Sequence, residues 1–320
     1  VDFAPGDVVA RGNFATLDDR GRVTDRRAGR IPTDENRRLT EVLNRALSEA
    51  GFGGGPDSAS GADSLRVSIH SGEGHRFVIL VQGEGLSPEI EDTDPQETGV
   101  PSLELNPRRP EAEDTIRRLR PALEVMLRAL SGEPRANGFL LRGFETLPKL
   151  PTMDALYALR LGCFAGYPLY RGVAKLCGME VVEAGKEVAE LFEGVRARWR
   201  DFDFLFIHVK EADKAGEDGD LWAKVRVLER VDAALPRLVE LLDPAADVLA
   251  ITGDHSTPAP MMLHSWHPVP LLVHGPVCFV DDETELTEPA AARGHLGTFP
   301  ARELLGLLLG NAGRLRKFGA

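Results

Sequence analysis

The segment Ile251-Thr-Gly-Asp254-His255-Ser256-Thr257-Pro258, followed by His264-Ser-Trp-His267-Pro-Val-Pro270, sets a carboxylate, an imidazole and further histidines at the spacing of a metal cluster. A second segment, His208-Val-Lys-Glu-Ala-Asp213-Lys-Ala-Gly216-Glu217-Asp218-Gly219-Asp220, adds carboxylates. Alone, that acidic stretch reads as a solvated turn or a helix N-terminus, where acidic side chains suit the dipole. A single loop histidine likewise reads as a hydrogen-bonding partner. Pooled, Asp213, Glu217, Asp254, His255 and His264 make a thiolate-free ligand set suited to Mn²⁺, Mg²⁺ or Zn²⁺. Two such ions can clamp the attacking and leaving oxygens of a phosphoryl group, so phosphate chemistry is expected.

Both segments need something to place them. Each follows an apolar, β-favouring run, 202–209 and 247–252, read as buried parallel strands whose carboxyl ends collect ligands. From Ala136 onward strand-like and helix-like stretches alternate, with helices after Pro168, near 184–200 and over 219–242, and a last strand at 270–273. That alternation predicts an α/β domain with a mainly parallel sheet flanked by helices. The first part reads differently. Thr33 is placed to cap a helix with Leu39, Val42, Leu43, Ala46 and Leu47 at helical spacing. A Gly-rich connector at 51–62, strands at 64–70 and 75–82, and a helix over 111–130 follow. The chain is thus expected to divide into a small α+β domain, 1–132, and an α/β domain, 133–320.

The formal net charge of −12 over 320 residues disfavours a nucleic-acid binder, which needs a net basic face, and no nucleic-acid partner is expected. An anionic substrate would therefore need a local basic pocket. Arg11, Arg26, Arg27 and Arg30 could supply one, since a guanidinium grips carboxylate or phosphate through paired hydrogen bonds. On charge alone these arginines read as a solvated face beside Asp18, Asp19 and Asp25. Cys163, Cys177 and Cys278 are too few and too dispersed for a disulfide framework and read as reduced core thiols. No stretch has the length of a bilayer span or the layout of a signal peptide, which predicts a cytoplasmic chain, and the lack of a heptad seam predicts a monomer. The chain opens at Val1 within what reads as a strand-and-turn region, so a fragment is expected.

GDHSTP, the following HSxxPVPLL pattern and the HVKxxDxAGxDGD-like segment resemble the archaeal-type cofactor-independent phosphoglycerate mutases of the alkaline phosphatase superfamily. Asp7-Val-Val-Ala-Arg11-Gly-Asn13-Phe-Ala-Thr16, Asp25-Arg26-Arg27-Ala-Gly29-Arg30, Gly74-His75-Arg76, Asp92-Thr-Asp94-Pro, Arg142-Gly143, Tyr167-Pro168-Leu-Tyr170-Arg171-Gly172 and Lys317-Phe318-Gly319-Ala320 are similar to the same family. The resemblance implies an alkaline-phosphatase-like α/β domain into which a smaller α+β substrate-clamping domain is inserted, with two divalent metals. It implies one metal on Asp213, Glu217 and His264, and the other on Asp254 and His255 with an Asp and a nucleophilic Ser upstream of Val1. Mn²⁺ is the ion expected, with Mg²⁺ or Zn²⁺ as alternatives. Glu217 stands where many members carry His, and its added charge should turn preference away from softer ions. Ser256 is expected to support its loop. Arg26 and Arg30, then Arg11, His75 and Arg76, become the expected ligands of a phosphoglycerate, interconverted between its 3- and 2-phospho forms through a phosphoserine. The competing readings are a phosphohydrolase or phosphotransferase of the same superfamily, and a truncated chain that binds metal without turnover. The chain alone is expected to be inactive.

Overall fold

A computed structural model describes residues 4–53 and 65–315. The sequence-predicted connector falls largely, and the closing Lys317-Phe-Gly-Ala wholly, outside the described residues. The chain forms two compact units, Val1–Lys149 and Leu150–Ala320.

In the first unit, β1 (Val8–Leu17), β2 (Val23–Asp25), α1 (Thr33–Glu49), β3 (Arg66–Ser71), β4 (Arg76–Gln82), α2 (Glu113–Leu130) and β5 (Gly138–Thr146) build an antiparallel sheet with two helices. Its order is β2-β1-β4-β3, with β5 on the other side of β1. Because side chains alternate along a strand, one face carries Val8, Ala10, Phe14, Val67, Ile69, Phe77, Ile79 and Val81. These pack with Leu39, Leu43 and Leu47 of α1 and Leu119, Met126 and Leu130 of α2 as the main core. The register places Arg11 opposite Val78 on one side and Arg142 on the other, and Asn13 opposite Arg76, so the opposite face is basic. The fully buried Phe77 ring lies where a Cβ on Gly12 would sit, which fixes a glycine there. Sequence reading ended this unit at residue 132; the structure extends it to Lys149, because β5 pairs along β1. Thr33 is the first residue of α1 and Pro32 occupies the cap, while the Thr33 hydroxyl accepts from the Gly74 amide.

The second unit comprises α3 (Met153–Tyr157), β6 (Leu161–Ala165), α4 (Pro168–Leu176), β7 (Glu180–Val181), α5 (Val188–Ala197), β8 (Phe204–His208), α6 (Glu211–Glu217), α7 (Leu221–Ala234), α8 (Pro236–Val239), β9 (Leu249–Thr252), β10 (Leu271–His274), α9 (Glu288–Arg293) and α10 (Leu304–Asn311). β7, β6 and β8 pair in parallel, the arrangement that strand-helix alternation predicts. Phe164, Leu191, Phe192, Val195 and Phe202 form the core beside this sheet. Two local expectations differ. β9 pairs antiparallel with β10, and its residues are half-buried or exposed rather than buried. The single helix expected over 219–242 is divided at Leu235, because Pro236 brings no N–H to continue the ladder and starts α8 instead. All three cysteines are free; Cys163 alone is buried, and Cys177 and Cys278 are half-buried. Among the described residues no helix is long and apolar enough to cross a membrane.

Candidate metal centre and basic face

β8 ends at His208, and α6 begins three residues later. Asp213 and Glu217 stand four residues apart on this short helix and therefore on one face. β9 ends at Thr252, and the chain runs directly into Asp254 and His255. A bridge between the backbones of Ser256 and Ser265, with the Ser265 amide donating to the Ser256 carbonyl at 2.9 Å, folds the loop back. His264 is thereby stacked on His255, ring centroids 3.9 Å apart. Ser256 thus acts through its backbone as a loop closure.

The five predicted residues come together as two groups of donors. His264 Nε2 lies 3.4 Å from Asp213 Oδ1 and 3.5 Å from Glu217 Oε1. His255 Nε2 lies 3.5 Å from Asp254 Oδ2. Ligand bonds of about 2.1 Å set neighbouring donor atoms about 3.4 Å apart around a tetrahedral ion and about 3.0 Å apart around an octahedral one, so the donors of each group lie close enough to share a divalent ion, an octahedral one drawing them a few tenths of an ångström together. By distance alone Asp213, His255 and His264 could also be taken as one cluster. Hydrogen bonding argues for the first grouping. Thr257 gives its one hydroxyl proton to Asp213 Oδ1 at 2.6 Å, so its oxygen can only accept from His255 Nδ1, 3.1 Å away. That leaves the His255 lone pair on Nε2, facing Asp254, in the orientation in which an imidazole can accept a metal ion.

The carboxylates hold the charge a cation needs. Burial pushes the Asp213 carboxyl up, but hydrogen bonds from Lys210 and Thr257 outweigh it and leave it below the ordinary value. Asp254 is lowered in the same way, burial being overcome by the Tyr170 hydroxyl and by the charges of His255 and His208. Burial and the neighbouring Asp254 raise the Tyr170 phenol, which therefore stays a donor. Burial lowers His208.

Gly216 lets α6 lie against the second loop. A Cβ there would come within 2.4 Å of the Thr257 carbonyl oxygen, and this oxygen also accepts from Lys224 Nζ at 2.7 Å. Gly216→Ala is expected to push Thr257 off Asp213 and to weaken Mn²⁺ binding about tenfold or more, in the range of outer-sphere losses, despite alanine's better helix propensity. Calorimetric titration with Mn²⁺ checks this.

In the first unit the basic residues converge on one turn. Asp25 accepts the Arg27 amide on Oδ1 and the Gly29 amide on Oδ2, both at 2.7 Å, and winds residues 25–30 around its carboxylate. Arg30 is held in the left-handed region, φ 53°, at a cost of about 1 kcal/mol or more that is typical of ligand clamps. His75 is buried beside this turn. Burial, followed by the charges of Arg76, Arg27, Arg11 and Arg30, brings its imidazole down to about 4, so near neutrality it is an uncharged hydrogen-bonding group among four guanidiniums. Arg26 is engaged in part within the unit: its Nε and Nη2 grip both oxygens of Asp94 at 2.9 and 2.8 Å, and Nη1 donates to the Gln96 carbonyl.

Sequence reasoning missed three contributors. Thr257 was legible in principle, as the hydroxyl two places after His255. Asp94 and Tyr170 both lie in segments that resemble the family, but neither segment carries a sign of its partner. Tyr170, 84 residues from the Asp254 it touches, gave no spacing signal.

The profile of the Metalloenzyme superfamily matches residues 53–310. Over the whole chain, the sequence is 42% identical to a Thermus thermophilus protein named "Probable 2,3-bisphosphoglycerate-independent phosphoglycerate mutase", covering 76% of that protein. A similarly named Aquifex aeolicus protein is also 42% identical, with 77% of its length covered. Among solved structures, a cofactor-independent phosphoglycerate mutase from Thermoplasma acidophilum superposes with a TM-score of 0.69 at 25% identity, over 98% of this chain and 78% of that one. A Pyrococcus horikoshii protein shares the fold with a TM-score of 0.76 at 24% identity, over 100% of this chain and 77% of its own.

Proposed function

Because this chain belongs to the Metalloenzyme superfamily and, within it, to the 2,3-bisphosphoglycerate-independent phosphoglycerate mutases, we propose that its two donor groups hold two divalent ions for the interconversion of 3- and 2-phosphoglycerate. Asp213, Glu217 and His264 make one group, and Asp254 with His255 makes the other. The carrying observation is the pairing of His264 with Asp213 and Glu217 and of His255 with Asp254, at separations that suit shared ions. When bound, such ions neutralise phosphoryl charge and lower the pKa of a coordinated hydroxyl. Oxygen and imidazole donors, with Glu217 contributing a second carboxylate to its group, favour Mn²⁺ or Mg²⁺ over softer ions.

The chain's own residues do the rest. Thr257 and Tyr170 hold the two aspartates in place, and Lys210 neutralises the outer oxygen of Asp213. In the first unit, Arg30, Arg11 and Arg76 present guanidiniums to a phosphate and a carboxylate, and neutral His75 offers a hydrogen bond without adding charge. Arg26 spends three of its N–H groups on Asp94 and Gln96, so it fixes the turn and reaches a substrate with the remainder. In this reading the phosphoryl group passes through a phosphoserine and returns to the neighbouring hydroxyl of the same glycerate.

The test is conversion of 3-phosphoglycerate with Mn²⁺, with free phosphate followed in parallel, on this chain and on a version carrying the additional length of its relatives. Formation of 2-phosphoglycerate without phosphate release, in either form, supports the reading. Phosphate release without 2-phosphoglycerate reassigns the site to a phosphohydrolase. No Mn²⁺-dependent conversion in either form sinks it.

A further inference from the structure

The Asp254 carboxylate is the more exposed of the two aspartates, with 46% of its side chain open against 13% for Asp213. An exposed carboxylate rotates freely about its last bond unless both oxygens are held. Here Oδ1 accepts the backbone amide of His255 at 3.1 Å, and Oδ2 accepts the hydroxyl of Tyr170. Oδ2 is also the atom that faces His255 Nε2 at 3.5 Å. The tyrosine itself is well anchored. It lies in the first turn of α4, two residues after Pro168, and its ring is stacked on the His208 imidazole with centroids 3.7 Å apart and planes 24° from parallel. His208 closes β8, so the hydroxyl is referred to the sheet that also leads into Asp213.

We infer that Tyr170 is the positioning residue for the metal-binding carboxylate of Asp254: the stack on His208 fixes the ring, and the hydroxyl fixes which carboxylate oxygen turns toward His255. The inference rests on the proposed metal-binding role of Asp254 and goes beyond it by assigning the group that orients this ligand. The hydroxyl of Tyr170 donates to Asp254, and its influence on an ion runs through that carboxylate. Thr257 does the corresponding work for Asp213. The two aspartates are thus held by hydroxyl donors from different elements, one in the loop after β9 and one in α4. The carboxylate keeps two lone-pair directions for an ion after both hydrogen bonds are made. Loss of an outer-sphere partner of this kind costs about 10- to 100-fold in metal affinity.

The test uses Tyr170→Phe, which keeps the ring and its stack and removes only the hydroxyl. Mn²⁺ dissociation constants are measured by calorimetry and by electron paramagnetic resonance of free Mn²⁺ on the full chain, beside the metal-free unfolding midpoint. The expected result is Mn²⁺ binding weakened about 10- to 100-fold, with the metal-free midpoint little changed. A lower midpoint with unchanged Mn²⁺ affinity would make Tyr170 a packing residue and overturn the inference. Asp254→Asn and the double variant guard against a folding artefact. If Tyr170 acts through Asp254, adding Tyr170→Phe to Asp254→Asn produces no further loss, whereas full additivity overturns the inference. Failure of the unmodified chain to bind Mn²⁺ at all would instead bring down the metal reading of the site, and the inference with it.

Discussion

Replacing Asp213 by asparagine is expected to reduce Mn²⁺ affinity by more than about 100-fold and, in the version carrying the additional length of its relatives, to take the Mn²⁺-dependent conversion of phosphoglycerate with it. The side chain keeps its shape but loses its charge. Four groups converge on it: Thr257 and His264 on Oδ1, His255 nearby at 3.8 Å, and Lys210 on Oδ2. An amide in its place would put an NH₂ against either the Lys210 ammonium or the Thr257 hydroxyl, and would leave Lys210 facing no anion. The loss should exceed that of Tyr170→Phe, because a proposed direct ligand is removed rather than its support. Stability supplies a readout independent of turnover. An ion that binds only the folded chain at 100 times its dissociation constant stabilises it by about 2.7 kcal/mol. The unmodified chain should therefore gain melting temperature with Mn²⁺, and the Asp213→Asn chain should gain much less at the same concentration. An equal gain in both chains would remove Asp213 from the ligand set.

The divide between what local sequence encodes and what folding adds is visible at these residues. Asp213, Glu217, Asp254, His255 and His264 were legible because all fall in the two segments that follow the apolar runs at 202–209 and 247–252, and a strand that delivers its own loop needs no distant information. The strands in question are close to expectation, Phe204–His208 for the run at 202–209 and Leu249–Thr252 for that at 247–252. The direction of β9 was not legible, since an apolar stretch of four residues pairs equally well either way. Nor was the membership of β5, which depends on seven register pairs with β1, a strand more than a hundred residues earlier. Helix punctuation was readable where proline acts alone and misread at Pro236, where the surrounding pattern continues across it. The hydroxyl contacts of Thr257 and Tyr170 and the grip of Arg26 on Asp94 join residues 44, 84 and 68 positions apart. Periodicity carries no record of such pairs.

That grip sets the other large expected effect. The Asp94 side chain has no solvent exposure, while 28% of Arg26 remains open. Asp94 accepts Arg26 through both oxygens and the Gln96 amide at 2.9 Å, with Arg142 Nη1 3.5 Å away. Asp94→Ala would leave these donors facing a void, and breaking a buried pair costs about 3–5 kcal/mol. Partial exposure of Arg26 lets water recover some of that, so a loss of about 2–4 kcal/mol in the first unit is expected. Burial raises the Asp94 carboxyl, but Arg26, the Gln96 amide and Arg142 together bring it below its ordinary value. A carboxyl depressed in the folded state contributes stability that is fully present above its unfolded pKa, about 3.9, and is lost as pH falls through the lower folded value. Acid unfolding of the unmodified chain should therefore carry a component below about pH 4 that Asp94→Asn lacks. The chain offers a clean way to see this. Its three tryptophans, Trp199, Trp222 and Trp266, and its three tyrosines, Tyr157, Tyr167 and Tyr170, all lie in the second unit. Aromatic fluorescence thus reports the second unit alone, while far-ultraviolet circular dichroism sees both. In urea, the Asp94 variants should shift the dichroism transition to lower denaturant and leave the fluorescence transition in place. A shift of both together would mean that the two units unfold as one, and no shift in either would show that the Arg26–Asp94 pair contributes nothing net to folding.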